Sequence, residues 1–580
     1  MKKRELRNWK NIAAIQGLLF FAQRMDEMLF YYTMDTYKPQ IYNIVLLLNE
    51  YFTTVQKIES GILNEKNEPI IIDEIVWMLN NDNVAREVIG EFIVEEFIKN
   101  RGSYGKDKRK RMLSLFLSKV IGNEYLEHLK VHIKEAVELD KKSDIEKYSI
   151  LYVRELTVVG YDARYIFKCL NNVFYTNEVS NLDSLDRFFS CFDSKKHKYD
   201  VMFEVDRELA SLCEKMQSKS ILDGLDVLKQ EEIMSSISAK EGYAIVSFRQ
   251  IEAFDEFVAY ETGSAILQML NNFYTYFRYV SSGIEPGGYV RNEEGHIETI
   301  KEKVSGVDKT RKIQSFERSY ASTADLFDIA TANYENLYKM SRIMEIHNTA
   351  IATEAQNNVL LSLWSILELL LEENETDNNH SRIMNIMDLV IPSLINSYIE
   401  KIVLDLYEDV RRFEHNKTPV FLSKVEEHCN EFEKFFAFLV LDKYDYLRSE
   451  FYSKLSEYPL LRYRIYSLNI ELKDKKRIQK KLDRHEQKLR WHLQRLYRTR
   501  NCIIHDGEDI YNIDALVENL LGYIDIVCER IIHSISHSVG IHTVSNAILE
   551  EELNYKLFFE KVNDDKVNEV NFMKFLYHRI

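Results

Sequence analysis

The stretch Leu496-Tyr497-Arg498-Thr499-Arg500-Asn501-Cys502-Ile503-Ile504-His505-Asp506-Gly507 closes a long charged segment and ends on a glycine. Read as helix, it puts Asn501 and His505 at i and i+4, on one face. Arg500 is the immediate neighbour of Asn501, and its flexible stem reaches round to the same spot. Gly507 supplies a natural helix stop. An imidazole moves a proton near neutral pH, and a guanidinium offers phosphate oxygens a planar fork of donors. With a neutral amide beside them, these are the groups that cleavage of an RNA phosphodiester needs. Arg500, Asn501 and His505 are therefore the candidate catalytic residues.

Upstream lies the strongest charge feature of the chain. Between Glu471 and Arg500 twelve lysines and arginines stand against four carboxylates, an excess of eight in a protein whose formal charge is −16. Leu482, Leu489, Leu493 and Leu496 keep an apolar stripe through this segment, so the cations must occupy the rest of the helix surface. On charge alone, a solvated helix face explains them. Placed directly before Arg500, they read better as a field that attracts a polyanion, with Lys488, Arg490, Arg495 and Arg498 as the RNA-binding residues. A second basic cluster, Arg101 with Lys106, Lys108, Arg109, Lys110 and Arg111, surrounds a Gly-Ser-Tyr-Gly loop. It is equally an accessory contact or a charged loop.

Composition bounds the class. Glycine (18) and proline (6) are far below their usual shares of about 7% and 5% in a chain of 580 residues, which argues for a mainly helical protein. The length is enough for several domains. Six cysteines without a close pair in sequence indicate neither a disulfide framework nor a CxxC zinc site, and favour an intracellular, cytoplasmic setting. Met1-Lys2-Lys3-Arg4 followed by Ile12 to Phe21 loosely mimics a signal peptide, but Gln16 interrupts the run, while Arg24 and Asp26 continue a helical pattern. No window approaches a transmembrane span, so no membrane partner is expected.

Three regions differ in texture. Residues 1–235 read as amphipathic helices with no catalytic constellation; His128 and His132 share a helix face but lack a third metal ligand. Residues 236–315 read as a small mixed subdomain. In it Tyr243 to Phe248 has the look of a strand, Glu252 to about Phe277 is helix-like, and Glu285-Pro286-Gly287-Gly288 marks a turn before a hairpin or loose connector. From 316 to 580 helices resume: a long one across Ile329 to Leu371, a polar connector at Glu372 to Asn379, then Ile386 to Glu414 and Val425 to Tyr444. Asn512 is placed to cap a final helix with the stripe Leu516, Leu520, Ile524 and Ile531. His533, His537 and His542 invite a metal reading, but Gly540 breaks the path to the third. The fold class is thus mainly α, with a multi-helix N-terminal domain, a small mixed α/β connector and a C-terminal helical bundle.

The segment Arg500-Asn501-Cys502-Ile503-Ile504-His505 resembles the Arg-(polar)-x-x-x-His signature of the HEPN superfamily of ribonucleases. Leu360-Leu361-Ser362-Leu363-Trp364-Ser365-Ile366-Leu367-Glu368-Leu369-Leu370 resembles the earlier helix of that superfamily's large, Apea-like branch. Arg342…His347 and Arg291…His296 repeat the spacing, but the first has Ile343 where the signature has a polar residue and the second follows a Pro-Gly-Gly turn. The resemblance covers about the last 250 residues. It implies a metal-independent endoribonuclease, with no cofactor, in which the 2′-OH of RNA attacks the adjacent phosphodiester and leaves a 2′,3′-cyclic phosphate. His505 is then general base or acid, Arg500 stabilises the transition-state charge and Asn501 positions the phosphate or the imidazole. Glu368 is the candidate supporting residue, orienting His505 or Arg500, or equally forming an inter-helix salt bridge. The resemblance further implies RNA, with tRNA as one substrate class, a homodimer that joins two copies of the motif, and a toxin or anti-phage role with a phage-derived trigger. The alternative is a non-catalytic HEPN-type RNA-binding or protein-interaction scaffold.

Overall fold

The computed structural model describes residues 3–563 except 30–41, 219–223, 229–236, 238, 279–282, 303–333, 354, 372–381, 415–418, 427–429, 508–512, 539 and 542. The chain is mainly helical, with 21 helices and one small antiparallel sheet among the described residues. In chain order the first six helices are α1 Gln16–Leu29, α2 Ile44–Glu59, α3 Asn67–Asn81, α4 Asn83–Ile89, α5 Glu91–Asn100 and α6 Lys106–Val120. Four more follow: α7 Asn123–Glu138, α8 Lys142–Val159, α9 Ala163–Asn171 and α10 Asp183–Phe189. Then come β1 His197–Asp206, α11 Arg207–Ser218, β2 Leu225–Leu228, β3 Tyr243–Ala253, α12 Glu256–Arg278, β4 Gly288–Arg291 and β5 Ile297–Ile300. The remaining helices are α13 Tyr334–Ile351, α14 Gln356–Leu370, α15 Arg382–Glu414, α16 Glu431–Val440, α17 Asp445–Lys454, α18 Pro459–Leu472, α19 Lys475–Asp506, α20 Ile513–His537 and α21 Val544–Asn563.

These elements form two compact units whose borders cross those read at 235 and 315. One comprises Met1–Glu5, Phe30–Val120 and Ser305–Ile580; the other comprises Leu6–Leu29 and Ile121–Val304. The N-terminal helices are thus divided: α2 to α6 belong with the C-terminal bundle, whereas α1 and α7 to α10 belong with the sheet. Sequence texture misses this because a helix's periodicity shows that it buries a face, not which helix covers it.

In the sheet-bearing unit, α1 is buried along most of its length, including Arg24, Asp26 and Glu27. Arg24 is held by Glu27 at 3.2 Å and Glu146 at 3.7 Å, so this buried cation is paired with carboxylates. The strand order is β2-β3-β1-β4-β5, and every pairing is antiparallel. The mixed region therefore starts at His197, upstream of the expected 236, because β1 is the central strand that both β3 and β4 need. A bulge between Tyr199 and Val201 interrupts the β1–β3 ladder. There Gln250 takes a positive φ of 60°, and its N–H donates to Asp200 Oδ1 at 3.0 Å. The turn at Pro286-Gly287 leads into the β4–β5 hairpin, and α12 packs on the sheet through Gly263, which faces Val201 and Phe203.

In the other unit one continuous apolar core joins α13 to α21. The helix expected across Ile329 to Leu371 is two helices, α13 and α14, which pack against each other; its start lies outside the described residues, as do the Glu372–Asn379 connector and Asn512. Val425 is buried, but helix in that stretch begins only at Glu431, where Asn430 and Glu433 form a reciprocal capping box. The stripe on α20 is as read: Leu516, Leu520, Ile524 and Ile531 are all buried.

A Cβ at Gly17 on α1 would clash with the Val137 carbonyl oxygen of α7. Gly17→Ala is expected to destabilise the protein by ~1–3 kcal/mol, as overpacking does, read as a fall in the denaturant midpoint. An unchanged midpoint would show that these two helices separate freely.

Candidate active site

Helix α19 carries the motif and runs for 32 residues. Asp474 caps it, accepting from the backbone N–H of Lys476 at 2.8 Å, and Gly507 ends it in the left-handed region (φ 62°) with its N–H on the Ile503 carbonyl at 3.1 Å. The terminal glycine does here what its position in the sequence suggests.

At the C-terminal end, Arg500 Nη1 donates to Asn501 Oδ1 at 3.0 Å, and the guanidinium lies 3.7 Å from Glu368 on α14. Glu368 is itself fixed, accepting from Trp364 Nε1 at 3.1 Å and lying 3.4 Å from Arg382. The Trp364 ring also faces Tyr497 of α19, at 6.1 Å between centroids. Both of the motif-bearing stretches, far apart in sequence, therefore meet at one place, where Glu368 forms an inter-helix salt bridge with Arg500. Asn501 is buried. His505, one turn further on, is exposed and has no hydrogen-bond or ion-pair partner among the described residues. No contact joins Arg500 to His505; along an ideal helix they are ~7.5 Å apart in rise and ~140° apart in azimuth. Cys502 is buried packing.

One further residue, unmarked by its local sequence, completes the surroundings. Lys57, at the end of α2, forms an ion pair with Asp506, directly beside His505. Nothing local in the sequence marks Lys57, because the contact spans 449 positions.

The four cations expected to bind RNA divide. Arg495 and Arg498 are buried, 3% and 4% exposed, and are corrected from RNA contacts to structural ones. Arg495 donates to Glu50 Oε2 at 2.9 Å and to both oxygens of Glu74 at 2.9 and 2.8 Å, with its guanidinium 3.8 Å from the centre of the Tyr42 ring. Arg498 donates to Glu50 Oε1 at 2.6 Å. Their physical reason is the packing of α2 and α3, which brings two carboxylates onto that face of α19. Arg490 remains partly exposed but is held by Glu486 at 2.8 Å, and Lys488 Nζ lies 5.3 Å from the centre of the Trp77 ring. The second basic cluster is likewise engaged: Lys106 pairs with Glu65, Arg109 with Glu68 and Lys110 with Glu59.

Burial pushes the Glu50 carboxyl up, but Arg495 and Arg498 outweigh it and hold the group down at about 2. Glu74 goes the other way: burial dominates Arg495 and, with Glu50 nearby, raises it. Next to this cluster His492 is buried, with its Nδ1 3.2 Å from the Tyr523 hydroxyl; burial and then Arg495 lower its pKa to about 3. His492 is thus a neutral core residue and not a second proton carrier for the motif. Arg342 and His347, the first repeat of the spacing, pair with Glu345 and Asp525 respectively, and Arg291 of the second pairs with Asp200. His533 and His537 stack on each other at 4.6 Å, and His542 lies outside the described residues. No group of three or more potential metal ligands occurs among the described residues. Among them, no helix is long and apolar enough to cross a membrane.

No protein-family model matches the chain, and no curated protein or solved structure matches it either.

Two outcomes are expected of the buried cluster. Arg495→Ala leaves Glu50 and Glu74 buried without their shared cation, and should cost ~3–5 kcal/mol in urea unfolding; a loss below ~1 kcal/mol would mean that water reaches the site. His492, protonated in the unfolded chain below a pKa of about 6.5 but neutral in the native state down to about 3, contributes stability above pH 6.5 that is lost as pH falls. Between pH 7 and 5 that is ~2 kcal/mol. His492→Gln should flatten the pH dependence of Tm over this range relative to the parent protein, and equal slopes would refute the assignment.

Proposed function

We propose that the protein is a metal-independent endoribonuclease of HEPN type, with Arg500, Asn501 and His505 at its catalytic centre. The observation that carries this reading is the exposed, unpartnered His505 one turn from Asn501, to which Arg500 is hydrogen-bonded, with Arg500 held from behind by Glu368. An imidazole without a structural partner is available to take a proton from a 2′-OH or give one to a 5′-oxygen. The Glu368 carboxylate fixes the orientation of the guanidinium and occupies one edge of it, while donors on the other side remain for phosphate oxygens. Asn501 is hydrogen-bonded to Arg500 and stands one helical turn before His505. The azimuthal separation of Arg500 and His505 favours a site completed by a second copy about a two-fold axis, so that each phosphodiester meets groups from both chains. Lys57 and Asp506 border that site as an ion pair.

The test is cleavage of a mixed RNA pool that includes total tRNA, with EDTA present. The intact protein should yield fragments with 2′,3′-cyclic phosphate ends, and Arg500→Ala and His505→Ala should each lower the rate by ~10²-fold or more. Because His505 is exposed, its replacement should shift stability by no more than ~0.5 kcal/mol, which separates a chemical role from a structural one. Glu368→Gln should retain the fold and lower the rate less, by ~10-fold, through a looser Arg500. Equal cleavage by intact protein and His505→Ala would reject the reading. Absence of cleavage by the intact protein, with RNA still bound, would assign the scaffold role instead. The accompanying biological role is RNA cleavage in anti-phage defence or as a toxin, tested by whether His505→Ala relieves growth arrest on expression.

A further inference from the structure

One stripe of cations runs the length of α19 at spacings of four, seven and three: Lys476, Lys480, Arg484, Lys488, Arg495 and Arg498. Its C-terminal half is covered by Trp77, Glu74 and Glu50 of α2 and α3. Its N-terminal half is bare. Lys476, Lys480 and Arg484 are exposed, and none of their side chains has a hydrogen-bond or ion-pair partner among the described residues. The neighbouring cations differ: Lys473 is taken by Asp442 and Asp445, Lys481 by Glu471, and Arg477 lies 3.6 Å from Asp474. Asp483 is the carboxylate that stands exposed alongside the bare three, so their local balance stays positive.

The start of the helix supplies a second, independent observation. Lys475, Lys476 and Arg477 fill the first turn, with no acidic residue there. Positive charge at a helix N-terminus opposes the macrodipole, and only the Asp474 cap offsets it. Local conflicts of this kind are relieved when an anion binds, and they concentrate at functional sites.

We propose that an RNA strand docks its phosphates on Lys476, Lys480 and Arg484, at a distance from the motif that sets a minimum substrate length; the length requirement rests on the nuclease reading above. Arg484 is ~24 Å and Lys476 ~36 Å from Arg500 along the helix axis. At ~3.4 Å per phosphate in a stacked strand, the nearer distance corresponds to about seven phosphates. The stripe reads backbone charge and carries no base specificity.

The experiment measures binding of the full chain, as His505→Ala to prevent turnover, to a labelled 20-nucleotide RNA and a trinucleotide over a range of salt. The 20-mer should bind far more tightly than the trinucleotide. Lys476→Glu, Lys480→Glu and Arg484→Glu combined should weaken 20-mer binding by at least ~10-fold and lower its log–log salt slope by about 2, as loss of three phosphate contacts requires. A control with the same charge change elsewhere, Lys66→Glu, Lys99→Glu and Lys195→Glu combined, should leave the slope unchanged. Parent-like affinity and slope in the first triple variant, an equal loss in the control, or no RNA binding by the parent would each overturn the proposal. Cleavage by the His505-containing protein is scored separately. A stripe-dependent slope without any cleavage would sink the nuclease reading and leave the docking stripe standing. His505-dependent cleavage with a stripe-independent slope would do the reverse.

Discussion

Arg495 sits between two carboxylates and on the face of an aromatic ring, almost fully removed from water, and the C-terminal unit depends on that placement. Desolvating one cation and two anions costs several kcal/mol per ion before any attraction is counted. The arrangement holds because Glu50 is shared with Arg498 and because both Nε and Nη2 of Arg495 meet carboxylate oxygens. Its main consequence is register: α2, α3 and α19 can meet in only one alignment without stranding a buried charge. That alignment brings Lys57 to Asp506 at the end of the same helix. The surroundings of the candidate site are therefore set by an ion cluster further up α19.

The same helix shows how one charge pattern serves two ends. Along its length the spacing of cations hardly changes, yet half of the stripe is neutralised by α2 and α3 and half faces solvent. In the covered half the cations act as structural pins, held by carboxylates or by an aromatic ring. In the bare half they generate a field that nothing inside the chain cancels. A helix of 32 residues spans ~48 Å, long enough for the two uses to be physically separate.

Legibility in the sequence followed the range of the interaction. Scarce glycine and proline, the stripes on α19 and α20, the Gly507 stop and the turn before β4 all rest on local backbone chemistry, and each appears where it was read. The division of helices between the two units was not legible, since Glu50 and Glu74 look like ordinary exposed acids of amphipathic helices.

What the sequence determined by itself is the helical class, the end of α19, and the presence of Arg500, Asn501 and His505 within one turn and a half, because all of these follow from residue spacing on a 3.6-residue helix. Tertiary structure decided which charges are free. It fixed Arg500 against Glu368, left His505 exposed, buried Arg495 and Arg498, and left Lys476, Lys480 and Arg484 in solvent. The physical reason is that a charge's role depends on its partner and its burial, and both come from segments hundreds of residues away.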